Sequence, residues 1–167
     1  MARYSATYTS VTPVGTADAA NLVDGTYQCV VQGGGAAQQL KINEFYAGGE
    51  AASTSSPTLL VVARDSTVAA TVTSGNTRNA LLDATSSAPS TAPVVGNNAT
   101  TKPQRSATLH LLHLSFNAYG GIVRWFARPG EEVTTFGNTA SLGEVSFSAY
   151  SGGTPGQISG HVLYEAL

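Results

Sequence analysis

The chain has 167 residues and a formal net charge of −2, and only 11% of its residues are charged. Because soluble domains average about 25% charged residues, Ser, Thr, Asn, Gln and Gly must supply most of the surface polarity here. The sequence lacks the basic patch typical of nucleic-acid-binding proteins, and no apolar run approaches the ~18 residues of a membrane span. We therefore expect one soluble domain over residues 1–167 that contacts neither nucleic acid nor membrane.

Short strands separated by turns are predicted from the N-terminus to residue 73. Aromatic and β-branched residues favour strands, and they recur in stretches that end at Gly, Pro or Asp. The single cysteine, Cys29, lies in one of these stretches and cannot form an intramolecular disulfide. The predicted strands cover residues 3–11, 26–32, 39–46, 58–64 and 67–73.

Residues 74–105 break this spacing. The stretch contains three prolines among many Ser, Thr, Ala and Asn residues, and only residues 76–84 match a short helix. Structureless loops longer than about 12–15 residues are uncommon in compact domains and are usually functional or disordered. We expect a long extended loop or arm. It is either a mobile surface insertion or a segment that orders against a neighbouring subunit, with Val94 and Val95 as its apolar anchor.

The most distinctive stretch of the chain predicts a β-hairpin. Residues 108–116 and 122–128 are rich in β-branched and aromatic residues, and the connection between them ends in Gly120 and Gly121. A short Gly-containing loop between two such runs is a hairpin signal. Both runs carry apolar residues on both faces, which is typical of strands that are covered on both sides. We expect one cover to be a second sheet, and the other to be a loop of the chain or another subunit.

Residues 144–150 and 161–165 predict two further strands near the C-terminus. Short strands at regular spacing, with turn signals between them, are typical of sandwiches and barrels. The predicted fold class is therefore all-β, an antiparallel β-sandwich that is jelly-roll-like, with residues 74–105 as its long loop or arm.

No arrangement of residues points to catalysis. His110 and His113 are three positions apart, which places them on opposite faces of a regular strand, and no Cys–His cluster has zinc spacing. The glycine run at 33–35 lacks the Lys and Ser/Thr of a phosphate-binding loop. Glu131 and Glu132 follow a Pro–Gly turn and are interpreted as a solvated loop tip. We expect a protein that is not an enzyme, with no catalytic residue, no metal and no cofactor.

A family resemblance is carried by three stretches of the chain, MARYSATYTSVTPV, TTKPQRSATLHLLHLSFNAYGGIVRWFA and SLGEVSFSAYSGGTPG. They resemble small head-region proteins of tailed bacteriophages, in particular head decoration (cement) proteins. The resemblance implies a structural virion protein on the capsid surface whose partners are the major capsid protein and copies of itself, with a trimer as the favoured homo-oligomer. The N-terminus lacks the apolar core of a signal peptide, so we expect synthesis in the host cytoplasm.

Basic residues in and near the hairpin are the predicted docking contacts. Arginine forms bidentate pairs with carboxylates on a partner, whereas ordinary surface charges contribute only about 0–1 kcal/mol each. Together with the apolar anchor, the partner-binding candidates are Lys102, Arg105, Arg124, Arg128, Val94 and Val95.

The residues leave two other functions open. One is a carbohydrate- or receptor-binding β-sandwich of a phage tail or fibre, which would use aromatic side chains near turns such as Tyr46, Tyr119 and Tyr150. The other is a self-assembling jelly-roll coat protein. A basic arm facing the packaged genome would favour the coat protein, and Arg3 is the single basic residue near the N-terminus.

Overall fold

The computed structural model describes residues 1–13, 29–51, 56–65, 71–73, 77–87, 93–101, 105–136, 145–151 and 156–167. Within these ranges every regular element is a β-strand and no helix is present, which confirms the all-β prediction. The strands are β1 (Ala2–Val11), β2 (Cys29–Gln32), β3 (Gln39–Gly49), β4 (Pro57–Asp65), β5 (Thr71–Thr73), β6 (Thr77–Leu81), β7 (Val94–Thr101), β8 (Arg105–Asn117), β9 (Ile122–Phe126), β10 (Val133–Phe136), β11 (Val145–Ser151) and β12 (Ile158–Ala166).

The described strands form two sheets in which neighbouring strands are antiparallel. In sheet A the order is β10-β3-β12-β1-β6, and β9 also pairs with β3. In sheet B the order is β5-β7-β2-β11-β4-β8. β10 pairs with residues 39–42 of β3 and β9 pairs with residues 44–48. The two strands therefore act as one edge strand that is interrupted by residues 127–132.

One hydrophobic cluster draws buried side chains from both sheets. Strands that bury one face contribute alternate residues, and each large side chain buried in this way contributes about 1.5–3 kcal/mol. Aromatic packing adds to the cluster, since the rings of Tyr4 and Tyr164 stack with their centroids 5.3 Å apart. The main contributors are Tyr4, Ala6, Tyr8, Leu40, Ile42, Phe45, Ala47, Val162 and Tyr164 from sheet A, and Val31, Leu60, Val62 and Val145 from sheet B.

The predicted strands before residue 66 are present wherever the structure describes them, with changed ends. β1 begins one residue earlier than predicted and β4 extends one residue further at each end, whereas β3 continues through Gly48 and Gly49, where a turn is predicted. Glycine is required at position 49 because a Cβ there would collide with the backbone carbonyl of Ala118. Residues 26–28 and 67–70 lie outside the described residues.

Two strands lie within residues 74–105, where a long loop or arm is predicted. β6 pairs with β1 at the edge of sheet A, and β7 pairs with β2 in sheet B. The helix predicted at residues 76–84 is wrong. Leu81 packs against the core whereas the adjacent Ala80 is exposed, which is the two-residue period of a strand.

β8 and β9 do not form the predicted hairpin. β8 pairs with β4 in sheet B and β9 pairs with β3 in sheet A, so the connection between them passes from one sheet to the other. The Asn117 carbonyl accepts a hydrogen bond from the Gly121 amide at 2.8 Å, which closes the turn. Ala118 is fully buried, its amide donates to Ser56 and its carbonyl accepts from Ala51. Local sequence predicts these two strands and the turn, but the partners of each strand are distant in sequence.

A β-bulge explains why β8 is apolar on both faces in the sequence. The register between β4 and β8 shifts between Val62 and Ala63, which leaves Leu111 as an extra residue in β8. Beyond the bulge, side chains point alternately inward and outward, and the outward ones are polar, so this part of β8 needs no second cover. The residues packed against the core are Leu111, Leu112, Leu114 and Phe116, and the exposed ones are His113 and Ser115.

Candidate functional site

The candidate site is the outer face of sheet A, where polar side chains of three neighbouring strands meet. Glu44 and Tyr46 lie on β3, Arg124 lies on β9 and His161 lies on β12. Tyr46 is opposite Arg124 in one neighbouring strand and opposite His161 in the other. The residue between Glu44 and Tyr46, Phe45, is buried in the core, so the pleat directs its two neighbours outward.

A bulge in β3 is what places Glu44 on this face. The register between β12 and β3 shifts between Leu163 and Tyr164, which leaves Asn43 as an extra residue in β3. In a regular strand Glu44 would share the inward face of Ile42. The bulge therefore places the Glu44 carboxylate on the outer face, next to Phe45, whose side chain is buried in the core.

Glu44 is the centre of a hydrogen-bonded network. The Arg124 guanidinium donates from Nε to Oε1 and from Nη2 to Oε2, each at 2.9 Å, in a bidentate arrangement. His161 Nε2 lies 2.9 Å from Glu44 Oε1. The Glu44 side chain is only 8% exposed, whereas that of Arg124 is 61% exposed. The network thus holds a buried carboxylate beneath a solvent-facing guanidinium.

The electrostatics of the network favour an ion pair at neutral pH. Hydrogen bonds from Arg124 lower the pKa of Glu44, burial opposes this effect, and His161 lowers the pKa further. The same pairing raises the pKa of the Arg124 guanidinium. A carboxylate whose pKa is depressed is a weak proton acceptor at neutral pH, because a general base works best with a pKa near the working pH. The arrangement therefore suits fixing β9 to β3 better than acid–base chemistry.

Tyr46 and His161 add a flat aromatic layer beside the ion pair. Their rings stack with centroids 5.1 Å apart and an interplanar angle of 11°. The backbone carbonyl of Tyr46 accepts a hydrogen bond from the Tyr8 hydroxyl at 3.0 Å, which ties this position to the core. This hydrogen bond fixes the backbone of Tyr46 to the core, so the stacked rings are held in place without a bound partner.

Exposed apolar side chains flank the ion pair on β9. Ile122 is 68% exposed and Phe126 is 67% exposed. Both lie on the same face of the strand as Arg124, whereas Val123 and Trp125 pack against the core. Ile122, Arg124 and Phe126 form a row, called the β9 row below, along an edge of sheet A. Two large apolar side chains exposed on one strand face make this row a candidate contact surface for a protein partner.

A groove of about 360 Å³ opens beside this network on sheet A. Its wall includes an ion pair, in which Arg3 Nε donates to Glu165 Oε1 at 2.8 Å. This volume lies at the small end of the range for ligand pockets, which is about 300–1,000 Å³. Other lining residues include Asn43, Leu82, Pro129, Glu132 and Leu163.

A tight turn at residues 128–131 borders the groove. The Glu131 amide donates to the Arg128 carbonyl at 2.9 Å, and Gly130 has a positive φ of 89°, which glycine adopts without strain. Glu132 Oε2 accepts a hydrogen bond from the Gly130 amide at 2.9 Å. Backbone hydrogen bonds from its own amide and from Gly130 lower the pKa of Glu132. Glu131 is exposed and Glu132 is half-buried, so only the first matches the predicted solvated tip.

Among the predicted docking residues, those that the structure describes lie at different places in the fold. Arg124 belongs to the network and Arg128 is exposed on the turn that follows β9. Arg105 begins β8 opposite Asp65 in sheet B. Val95 packs against the protein's own core. The remaining two are Val94, which begins β7 opposite Gln32, and Lys102, which lies outside the described residues.

The sequence singles out Arg124 and Tyr46, but it does not identify Glu44, His161, Ile122 and Phe126 as members of this site. Glu44 and Arg124 are separated by 80 positions, and Glu44 and His161 by 117. No local pattern reports such a pairing. Ile122 and Phe126 alternate with core residues, and that alternation is visible in the sequence, but which set faces solvent depends on the sheet that β9 joins.

His110 and His113 lie on one face of β8, against the expectation of opposite faces. Leu111 is the extra residue of a bulge and does not count in the alternation of side chains. His110 and His113 therefore share a face, as residues two positions apart do in a regular strand. His110 Nδ1 and His113 Nε2 are 3.0 Å apart, and the ring centroids are 5.3 Å apart. Among the residues that the structure describes, no group of three or more His, Cys, Asp or Glu side chains is arranged to hold a metal.

Comparison with protein-family models, curated proteins and solved structures finds no match for this chain. In the described ranges, no helix has the length and apolar character needed to cross a membrane.

Proposed function

We propose that this chain is a structural virion protein that binds and stabilises the capsid shell of a tailed phage, as head decoration proteins do. The observation that carries the proposal is the β9 row, in which two exposed apolar side chains flank Arg124. The charge of Arg124 is balanced by Glu44, so the row offers contact area to a protein partner. The resemblance of three stretches of the sequence to phage head proteins supports the same function.

The fold that we propose for this function is a β-sandwich with jelly-roll topology. Its support is the strand order, β1-β12-β3-β9/β10 in one sheet and β2-β11-β4-β8 in the other, with β5, β6 and β7 inserted between β4 and β8. Two Greek keys folded together produce an order of this kind. A core cluster with members from both sheets supports face-to-face packing. Jelly rolls are common among viral capsid proteins.

The proposed partners are the major capsid protein and further copies of the chain, with a trimer favoured, on the capsid surface. A capsid lattice presents the same contact many times, and repeated weak contacts produce strong avidity. A low fraction of charged residues, 11% of the chain, suits a surface that is packed against neighbours.

The test adds purified protein to phage heads that lack it, and measures co-sedimentation and the temperature at which heated heads release DNA. The proposal expects binding and a higher release temperature with wild type, and loss of both with the double variant Ile122→Ser/Phe126→Ser. Leu167→Ser is the matched control, because Leu167 is also an exposed large hydrophobic side chain, 46% exposed, but follows β12 and belongs neither to the β9 row nor to the groove lining. Wild-type protein that neither sediments with heads nor shifts the release temperature contradicts the proposal, and binding to a glycan array instead supports a receptor-binding function.

The proposed jelly-roll topology also favours a second candidate function, that of a self-assembling jelly-roll coat protein. The two functions differ in what the purified protein does alone. A decoration protein remains a small oligomer until a shell is supplied, whereas a coat protein forms shells without a partner. Native mass spectrometry and electron microscopy of the purified protein distinguish them.

A further inference from the structure

The histidine pair on β8 has a geometry that a regular strand cannot give to residues three positions apart. The bulge brings His110 and His113 to one face, with His110 Nδ1 and His113 Nε2 separated by 3.0 Å. His113 is exposed and His110 is half-buried, so solvent reaches the pair. β8 is the last strand in the order of sheet B, which leaves the pair at an edge of the sheet.

We propose that His110 and His113 form a bidentate binding site for a divalent transition metal of the Zn²⁺, Ni²⁺ and Cu²⁺ class. Imidazole nitrogens bind Zn²⁺ at about 2.0–2.1 Å, so two nitrogens in neighbouring positions of a tetrahedral or square site lie about 2.9–3.4 Å apart. The observed separation of 3.0 Å falls in that range. The metal binds two neutral imidazoles, His110 through Nδ1 and His113 through Nε2, and the proton that lies between these nitrogens moves to the other nitrogen of its ring or to water.

The ligand type selects the metal. Imidazole suits Zn²⁺, Ni²⁺ and Cu²⁺, whereas Mg²⁺ and Ca²⁺ prefer oxygen ligands. Opposite the pair in register are Ala63 and Val61 of β4, whose side chains cannot ligate a metal. Both are buried, in a small cluster with Leu59 on this side of β4, which gives the pair a firm base. Among the described residues no further His, Cys, Asp or Glu joins the pair, so we expect water or a neighbouring molecule at the other coordination positions. The site is independent of the proposed capsid function.

Titration calorimetry with Ni²⁺ and Zn²⁺ tests the site, with Cu²⁺ electron paramagnetic resonance as a second readout. The wild type should bind one equivalent and show hyperfine coupling from two nitrogens. His113→Ala should weaken binding at least about 10–100-fold, since even the loss of a residue that only supports a ligand has an effect of that size. His161→Ala is the control, because His161 contacts Glu44 on the other sheet, and it should bind like the wild type.

Because His113 is exposed, the variant His113→Ala should still fold, and an unchanged circular dichroism spectrum verifies this. His110→Ala should weaken binding to the same extent. Equal Ni²⁺ affinity in wild type and His113→Ala overturns the proposal, as does wild-type protein without binding or with a Mg²⁺ affinity equal to its Zn²⁺ affinity.

Discussion

The substitution Glu44→Gln tests whether the charge of the carboxylate stabilises the pairing of β9 with β3. The side chain accepts two hydrogen bonds from Arg124 and lies 2.9 Å from His161 Nε2. A hydrogen bond to a charged group contributes about 1.5–3 kcal/mol, but solvent screens this pair because Arg124 is largely exposed. We expect the free energy of unfolding at pH 7 to fall by about 1–2 kcal/mol, which lowers Tm by about 2–8 °C for a domain of this size.

The pH dependence has a definite sign. The pKa of Glu44 lies below its ordinary value of 4.5 in the folded protein, so the folded state binds a proton less readily than the unfolded chain. The stabilisation is therefore complete above about pH 4.5 and is lost as the pH falls through the lowered pKa. The difference in stability between wild type and Glu44→Gln should be present at pH 7 and should close in acid.

Urea unfolding of both proteins over this pH range measures the difference. Glu165→Gln is the matched control, because Glu165 pairs with Arg3 on the same sheet and is more exposed. We expect the control to change stability by only about 0–1 kcal/mol. The reasoning is refuted if Glu44→Gln is as stable as wild type at pH 7, or if the difference is unchanged at pH 3.

Two further substitutions test the packing around the site by thermal unfolding. Gly49→Ala should lower the free energy of unfolding by about 1–3 kcal/mol, because the added methyl group collides with the backbone of Ala118. Gly48→Ala, which meets only ordinary contacts, should have a smaller effect, and equal effects would contradict the role of Gly49. Trp125→Ala should cost about 2–4 kcal/mol, somewhat less than a fully buried Trp, because the half-buried ring packs against Phe45 at a centroid distance of 5.7 Å. An unchanged Tm in that variant would show that β9 adds little to the core.

The all-β architecture could be predicted from the sequence because strands depend on local properties. Alternation of apolar residues and the position of Gly and Pro predict β1, β3, β4, β8 and β9 to within a few residues. Strand partners are not local, which is why the sequence predicts a hairpin of β8 and β9 although the two strands join different sheets. For the same reason the sequence does not predict β6 and β7, whose strand partners, β1 and β2, are distant in the chain.

The candidate sites depend on single-residue departures from regular alternation. Asn43 and Leu111 are the extra residues of two bulges, and each changes the face on which later side chains lie. One bulge exposes Glu44 to Arg124 and the other brings His113 to His110. A strict two-residue alternation places Glu44 on the inner face, and His110 and His113 on opposite faces. Both assignments are wrong, because the local sequence does not show where the pairing with the neighbouring strand shifts its register.

The edges of the two sheets have a consequence for the behaviour of the protein at high concentration. Unpaired strand edges invite addition of strands from other molecules, which leads to fibrils. Here β5 and β6 are short, at 3 and 5 residues, β8 is bulged, and β9 and β10 are interrupted by the turn at Pro129. The bulge limits the regular part of β8 to residues 112–117, where the exposed side chains His113 and Ser115 are polar. The described edges therefore offer short or interrupted templates, which disfavours amyloid-like growth when copies are crowded together.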